Sequence, residues 1–216
     1  MALTLVVGNK NYSSWSMRPW LVLKKSGAAF EEVVIPLDRP ETRAEIFKHS
    51  PSGFVPTLKD DELTIWESLA ICEYLAEKFP DANLWPKDPS ARAIARSVSN
   101  EMHSGFSALR TNMPMNVRGN LPGKGRAPGV QEDINRISAI WRDCRTRFGQ
   151  NGPYLFGAFS IADAMYAPVA SRFVTYQVDL DADAKAYVNT LWSDPAMAAW
   201  VEGARREPWG IEKSEL

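Results

Sequence analysis

The segment between Ser50 and Pro80 constrains the fold of this 216-residue chain more than any other part of the sequence. A short apolar run follows Pro56, an Asp-Asp pair supplies turn residues, and a second apolar run comes next, which together predict a β-hairpin. Apolar residues then recur every three to four positions after Ser68, the spacing of a helix packed on one face. We therefore expect the chain to be organised around a hairpin and a helix that begins at Glu67-Ser68.

Two features of this segment indicate a ligand site. Pro56 cannot donate to a sheet ladder, so the backbone of Val55 before it is free to pair with an extended ligand. Ser68 stands at a helix start, where unpaired N–H groups and the helix dipole attract an anion, and the carboxylate of Glu67 suits an ammonium group. A carboxylate and an amine side by side are the two charged groups of an α-amino acid, so a small zwitterionic peptide would fit these two residues. The same residues also fit a structural hairpin with an ordinary serine N-cap.

The other elements predict an α/β domain followed by helices. Ahead of the hairpin we predict a strand, a helix that Pro19 begins, a second strand and a short helix, at residues 4–7, 19–25, 30–37 and 42–48. This order is that of a thioredoxin-like domain, which we place at residues 1–80. A proline-rich linker follows, and residues 90–216 are expected to form an all-helical domain.

Composition excludes several classes of function. A formal net charge of −1 gives no long-range attraction to nucleic acid, and no apolar run is long enough for a membrane span or secretion signal. Cys72 and Cys144 lie far apart on predicted helix stripes, so we expect reduced core thiols and a cytoplasmic location. His49 and His103 lack partners at metal-ligand spacing, so we expect ordinary histidines and no metal.

The motif S-P-x-G-x-V-P-x-L from Ser50, followed by the hairpin and by E-S-x-A-I-x-E-Y-L, is similar to the glutathione-binding half of cytosolic glutathione transferases. The resemblance implies their fold, a thioredoxin-like N-terminal domain plus an all-α C-terminal domain. It also implies that Val55, before a cis Pro56, pairs its backbone with the cysteinyl part of glutathione. Glu67 and Ser68 are expected to hold the γ-glutamyl end, with glutathione as the co-substrate.

Residues 12–18 lie between the first strand and helix, where thioredoxin-like folds place their reactive group. This loop has no cysteine, which disfavours disulfide exchange and the cysteine-based transferases. Its serines resemble those of the serine-type zeta and tau transferases, which implies Ser13 as the catalytic residue. Ser14 is the close competitor, and we expect Ser16 to cap the helix. A hydroxyl that donates to the glutathione sulfur at a helix N-terminus favours the thiolate.

The second substrate is expected between the two domains. We predict that Trp15 walls an apolar pocket with Met102, Phe106 or Met113 from the long helix that follows the linker. Trp15 replaces a small cysteine that follows the two serines in zeta members, which would narrow or reshape this pocket.

Arg172 lines up by position with an arginine that zeta isomerases use to hold a substrate carboxylate. A guanidinium suits that role because it stays charged and meets a carboxylate with two hydrogen bonds. The alternative is a partly buried arginine paired with an acidic residue such as Asp179 or Asp163. Asp163 itself belongs to a capping-box pattern with Ser160, and we expect it to be structural.

One position departs from the family pattern. Phe54 stands where zeta and tau members usually carry a polar residue that helps to hold the glycyl end of glutathione. The protein is expected either to make fewer contacts there or to use Lys48 or His49 instead.

These observations predict a glutathione transferase that activates the glutathione thiol for attack on a small electrophile. One alternative is a glutathione-dependent cis–trans isomerase of the maleylacetoacetate type. Another is a non-catalytic interaction module with the same fold. The resemblance also implies a homodimer, and neither nucleic acid nor membrane is expected as a partner.

Overall fold

The computed structural model describes residues 3–215. In chain order the elements of its first part are β1 (Leu3–Gly8), α1 (Ser14–Ser26), β2 (Phe30–Ile35), α2 (Thr42–Phe47), β3 (Thr57–Asp60), β4 (Leu63–Trp66) and α3 (Ser68–Lys78). The strands form a four-stranded mixed sheet in the order β2-β1-β3-β4, in which β1 runs parallel to β2 and antiparallel to β3. The predicted hairpin is present as β3 and β4, and the helix after it begins at Ser68.

The second part of the chain is helical. A 3-10 turn at Pro80–Ala82 leads into six α-helices, and a second 3-10 turn, Glu212–Ser214, lies near the end of the described residues. The helices are α4 (Pro89–Ser104), α5 (Ser107–Asn112), α6 (Val130–Phe148), α7 (Ile161–Thr175), α8 (Ala182–Trp192) and α9 (Pro195–Arg206). The predicted fold, a thioredoxin-like sheet unit plus a helical domain, is confirmed.

One apolar core joins the two parts. Helix α1 packs on α3 within the sheet unit and on α7 and α9 of the helical domain, and Trp20 of α1 meets Trp200 of α9 edge to face at 5.3 Å. Because the same buried cluster contains residues from both parts, the boundaries at residues 80 and 90 stay a prediction. No helix within residues 3–215 has the length and hydropathy that a membrane span requires.

Helix α7 is the centre of the helical domain and starts at the predicted capping box. The carboxylate of Asp163 accepts hydrogen bonds from Ser160 N at 2.8 Å and Ser160 Oγ at 3.0 Å. It also accepts from Leu155 N at 3.0 Å and from Tyr187 OH at 2.9 Å. Asp163 is fully buried, and burial raises the pKa of its carboxyl to about 6 against the opposing effect of these donors. Its placement is that of a structural residue, as predicted.

Candidate functional site

The loop that joins β1 to α1 is fastened by residues of the helical domain. The side chain of Asn11 accepts from Arg118 N at 2.8 Å and donates to Asn116 Oδ1 at 2.9 Å. The Glu207 carboxylate accepts from the backbone N–H groups of Lys10 and Asn11 at 2.7 and 3.2 Å. Residues far apart in sequence therefore fix the backbone just ahead of the serine run.

The serine run forms the N-terminus of α1. Ser13 is the N-cap: its Oγ accepts from Ser16 N at 3.3 Å and donates to Ser16 Oγ at 2.8 Å. Ser16 Oγ in turn accepts from Gly8 N at 3.0 Å, so the expectation that Ser16 caps the helix is wrong. The helix begins at Ser14 and contains Pro19, which the sequence placed in its first turn. A proline here removes one intrahelical hydrogen bond, and the cap formed by Ser13 starts the helix upstream of it.

Two cavities adjoin at this helix start and share Trp15, Phe54 and Val55 as walls. The smaller has a volume of about 170 Å³ and is lined by Trp15, Ser52, Phe54, Val55, Pro56, Glu67, Ser68 and His103. The larger has a volume of about 690 Å³ and is lined by Tyr12, Ser13, Ser14, Trp15, Leu37, Asp38, Thr42, Arg43, Ile46, Gly53, Phe54, Val55, Ser107, Arg110, Thr111, Pro114, Met115, Arg172 and Ser214.

The smaller cavity brings together the residues that the sequence motif singled out for glutathione. The Val55-Pro56 peptide bond is cis, and both residues lie on its wall. Glu67 precedes α3 with φ at 71°, in the left-handed region. Ser68, the first residue of α3, is 1% exposed, and its Oγ has no hydrogen-bond partner within residues 3–215. A buried hydroxyl without a partner at a helix N-terminus is a group that an anionic ligand can satisfy.

His103 also lines this cavity, a position that sequence reasoning treated as ordinary. It lies in the last turn of α4, with Nε2 at 3.5 Å from Glu67 Oε2 and its ring at 5.1 Å from the Trp15 ring. Burial lowers the pKa of the imidazole, and the charges of Arg18 and Arg110 lower it further while Glu67 opposes them. In the described ranges no three His, Cys, Asp or Glu side chains form a group that could hold a metal ion.

Two guanidinium groups lie close to the Trp15 ring. The Cζ atoms of Arg18 and Arg110 are 4.3 and 4.6 Å from the centre of its ring, within the range of cation–π contacts. Arg18 is 1% exposed, and neither its Nε nor its Nη1 has a hydrogen-bond partner among residues 3–215. Burial, together with the charges of Arg110 and Arg172, lowers the pKa of Arg18 to about 9. The surroundings of Trp15 are therefore electropositive.

Arg172 lines the larger cavity but has, within residues 3–215, no acidic partner of the kind that the alternative interpretation required. Its Nε donates to the Met113 carbonyl at 2.7 Å and its Nη1 to the Pro168 carbonyl at 3.1 Å. Neither Asp163 nor Asp179 accepts from it, so that alternative is wrong. The side chain is 5% exposed, and burial lowers its pKa to about 10.

The walls of the larger cavity differ from the prediction. Met102, Phe106 and Met113 are at most 7% exposed and belong to the apolar core, outside the residues that line either cavity. Phe106, with φ at 59°, is the N-cap of α5 and turns the chain into that helix after α4 has ended at Ser104. The helical domain therefore contributes residues from α5 and the loop after it, together with Arg172, to the wall: Ser107, Arg110, Thr111, Pro114 and Met115.

Phe54 is 67% exposed and stands at the junction of the two cavities. Lys48, one of the two predicted substitutes, pairs with Glu45 at 2.6 Å on the surface. Neither Lys48 nor His49 is among the wall residues, whereas Arg43 of α2 is. Arg43 is thus a charged wall residue of the larger cavity that the sequence analysis did not identify.

The sequence matches two family models. The model described as "Glutathione S-transferase, N-terminal domain" covers residues 12–78, and "Glutathione S-transferase, C-terminal domain" covers residues 127–203. Among solved structures, a glutathione transferase homolog from Burkholderia, with bound glutathione, superposes with a TM-score of 0.74 at 26% identity. That similarity covers 96% of this chain and 100% of the other.

Curated relatives extend the similarity over most of the chain. Glutathione S-transferase F14 from Arabidopsis thaliana is 33% identical over 86% of this chain and 73% of its own length. Maleylacetoacetate isomerase from Rattus norvegicus is 34% identical over 77% of this chain and 76% of its own length. With both family models and these relatives, the chain belongs to the glutathione S-transferase family.

Proposed function

We propose that this protein is a glutathione S-transferase that holds the γ-glutamyl end of glutathione in the smaller cavity and activates its thiol for attack on an electrophile in the larger one. The observation that carries this proposal is the convergence of the Val55-Pro56 bond, the Glu67-Ser68 helix start and the Ser13 cap on two adjoining cavities. The Ser68 hydroxyl has no hydrogen-bond partner among the residues that the structure describes, which supports a ligand role, because a scaffold gains nothing from leaving it buried and unpaired.

Glutathione would lie along the edge between the cavities. Its γ-glutamyl ammonium and carboxylate would meet Glu67 and Ser68, and its cysteinyl backbone would pair with Val55. At the glycyl end we propose Arg43, because it lines the larger cavity and takes part in no ion pair within the described sequence. The two domain ranges, residues 1–80 and 90–216, would then correspond to glutathione binding and to the electrophile pocket.

Ser13 would stabilise the thiolate. Its hydroxyl proton points to Ser16 Oγ in the free protein, but that hydrogen bond can reverse because Ser16 Oγ also carries a proton. Ser16 would then donate to Ser13, and Ser13 would donate to the sulfur. Lowering the thiol pKa by ~2 units requires about 2.7 kcal/mol, which a hydrogen bond to a charged atom and the dipole of α1 can supply together.

Retention on immobilised glutathione, followed by conjugation of glutathione to an uncharged aryl halide, tests this function. We expect specific elution with free glutathione and a rate above that of the uncatalysed reaction. Retention without conjugation of any electrophile in a broad panel would favour the non-catalytic module. Failure to bind glutathione would refute the proposal.

A second candidate function is the glutathione-dependent isomerisation of an acidic substrate. Arg43, Arg110 and Arg172 line the larger cavity, and no carboxylate in residues 3–215 forms an ion pair with any of them. Asp38 on the same wall is neutralised by Lys213 at 2.9 Å. A cavity with this charge favours an anionic electrophile.

A substitution of Arg172 separates the two functions. If Arg172 holds a substrate carboxylate, Arg172→Met should abolish isomerisation of a cis-enedioate and spare conjugation of the uncharged aryl halide, and Arg172→Lys should retain part of the isomerisation. Equal loss of both reactions with a lowered Tm would mean that Arg172 is structural.

We also propose a homodimer that works in the cytoplasm. Leu63 and Trp66 on the edge strand β4 are 49% and 45% exposed, and Phe54 nearby in sequence is 67% exposed, a set that burial in a dimer would cover. Cys72 and Cys144 are free and buried, in keeping with a reducing compartment. Light scattering that shows only a 24.1 kDa species at micromolar concentration would exclude the dimer.

A further inference from the structure

The chain that follows α9 returns to the sheet unit and forms part of the wall of the larger cavity. We call residues 207–215 the C-terminal segment. Its 3-10 turn, Glu212–Ser214, places Ser214 on that wall, and this residue is 7% exposed. Ile211, just before the turn, is 5% exposed. The segment is therefore packed onto the protein, and its position decides the shape of one side of the electrophile site.

Hydrogen bonds hold the inner side of the C-terminal segment. The buried amide of Asn116, in the loop after α5, donates from Nδ2 to the Ser214 carbonyl at 3.1 Å and to Glu215 Oε2 at 3.0 Å. Tyr12, just ahead of the Ser13 cap, donates its hydroxyl to the other carboxylate oxygen of Glu215. These contacts connect the end of the segment to the helical domain and to the loop that joins β1 to α1.

The outer side of the C-terminal segment contacts the sheet unit through an ion pair. Lys213 Nζ lies 2.9 Å from Asp38 Oδ1, and the two side chains are 72% and 46% exposed. Asp38 follows β2, has φ at 60° and lines the larger cavity. Because the pair is exposed and one partner is a wall residue, the pair lies at the rim of that cavity. An exposed ion pair is weak and is screened by salt, so this contact opens more readily than the buried hydrogen bond from Asn116 to Ser214.

We propose that Lys213 and Asp38 are specificity-determining residues, whose ion pair closes the rim of the larger cavity and disfavours bulky electrophiles. This inference rests on the proposed function and deepens it. A compact electrophile fits the cavity while the pair is closed, so its turnover does not depend on the pair. A bulky electrophile needs the pair to open, so its kcat/KM includes the equilibrium between the closed and the open rim. Loss of the pair therefore favours the bulky substrate.

Two substitutions at the rim and one matched control isolate the ion pair. Lys213→Met removes the ammonium group and keeps an unbranched side chain, and Asp38→Asn keeps the shape at a position whose positive φ asparagine tolerates. The control is Lys48→Met. Lys48 pairs with Glu45 at 2.6 Å, the two side chains are 63% and 43% exposed, and neither residue lines either of the two cavities.

The substrates are two uncharged aryl halides with the same reactive ring, one compact and one with a bulky apolar group remote from the reactive carbon. With glutathione at saturation, the ratio of kcat/KM for the bulky halide to that for the compact halide should rise about threefold in Lys213→Met and in Asp38→Asn. The double variant should show no further rise, because both substitutions break the same pair. Added salt should raise the ratio in the unaltered protein and in Lys48→Met but not in the rim variants, because salt screens only a pair that is present.

Three results would overturn the role of the ion pair and leave the proposed function intact. They are an unchanged ratio in Lys213→Met, a rise of the same size in Lys48→Met, and additive effects of the two rim substitutions in the double variant. If the unaltered protein conjugates neither halide, the proposed function itself fails, and this inference with it.

Discussion

Two clusters of buried polar groups differ in how far the protein satisfies them. In the Asp163 cluster, made of Leu155, Ser160, Asp163 and Tyr187, both carboxylate oxygens accept two hydrogen bonds each. In the Trp15 cluster, made of Trp15, Arg18, Ser68, His103 and Arg110, four polar atoms have no partner within residues 3–215. These atoms are Arg18 Nε, Arg18 Nη1, Ser68 Oγ and His103 Nδ1.

This difference in hydrogen bonding distinguishes a cluster that stabilises the fold from a cluster that borders a ligand site. An unpaired buried polar atom costs about 1–3 kcal/mol, so a protein retains several together only where something outside the chain completes them or where the charge itself is used. The Asp163 cluster is complete without a ligand and begins the central helix α7. The Trp15 cluster is incomplete and borders both cavities. We therefore expect substitutions in the Asp163 cluster to lower stability, and substitutions in the Trp15 cluster to change ligand binding or the reaction rate.

The largest effect is expected for Asp163→Ala, because it leaves four buried donors without an acceptor. The free energy of unfolding should fall by about 4 kcal/mol at pH 7. Urea denaturation measures this loss, and glutathione affinity of the folded fraction should stay the same. A loss below about 1 kcal/mol would show that the cluster is not the support that its hydrogen bonds indicate.

The pH dependence of stability should report the same carboxyl. Its pKa rises from 3.8 in the unfolded chain to about 6 in the folded protein, so it contributes most below pH 4 and its contribution is lost as the pH rises through 6. This rise in the pKa of Asp163 corresponds to about 3 kcal/mol in the free energy of unfolding. The gap in unfolding free energy between the protein and Asp163→Asn should therefore widen from pH 7 to pH 4. A gap that does not change with pH would contradict a raised pKa.

The two clusters also differ in how much of them the sequence predicts. The capping box spans three residues, and the hairpin and helix around Glu67-Ser68 are consecutive, so local patterns identify both. The contact between His103 and Glu67 joins residues 36 positions apart and depends on where the fold places the end of α4 relative to the start of α3. The spacing of apolar residues along the sequence does not reveal such a contact between distant residues.

The incorrect assignments have a similar physical origin. Met102 was predicted to line the pocket for the second substrate, but its side chain is fully buried in the apolar core and lines neither cavity. The start of α1 was placed at Pro19 because prolines favour first turns, whereas the hydrogen bonds of Ser13 begin it earlier. Side-chain hydrogen bonds and positive φ angles such as that of Phe106 are visible only in three dimensions.

The next effect concerns rate rather than stability. Ser13→Ala should lower kcat/KM for conjugation of an aryl halide roughly 100-fold and raise the pKa of bound glutathione, because a donor to the thiolate is lost. As the N-cap of α1 it should also cost about 1 kcal/mol of stability. Ser14→Ala, the matched control one residue away, should change the rate less than about threefold. If Ser14→Ala is the more damaging, the two serines have exchanged roles and Ser14 contacts the sulfur.

The smallest effect compares one serine from each cluster. Ser68 Oγ is buried and has no partner in the described part of the chain, so Ser68→Ala should leave the free energy of unfolding unchanged or slightly raised. It should weaken glutathione binding about tenfold, since a donor to the ligand carboxylate is gone. Ser160 Oγ donates to the Asp163 carboxylate, so Ser160→Ala should cost about 1 kcal/mol of stability and leave glutathione affinity unchanged.

Both variants remove the same atom from a buried serine at a helix start, which makes the pair a direct test of the distinction between the clusters. Urea denaturation gives the free energy of unfolding of each variant, and calorimetry gives its affinity for glutathione. Loss of stability in Ser68→Ala with unchanged affinity would show that a buried polar group without a partner does not mark the ligand site in this protein.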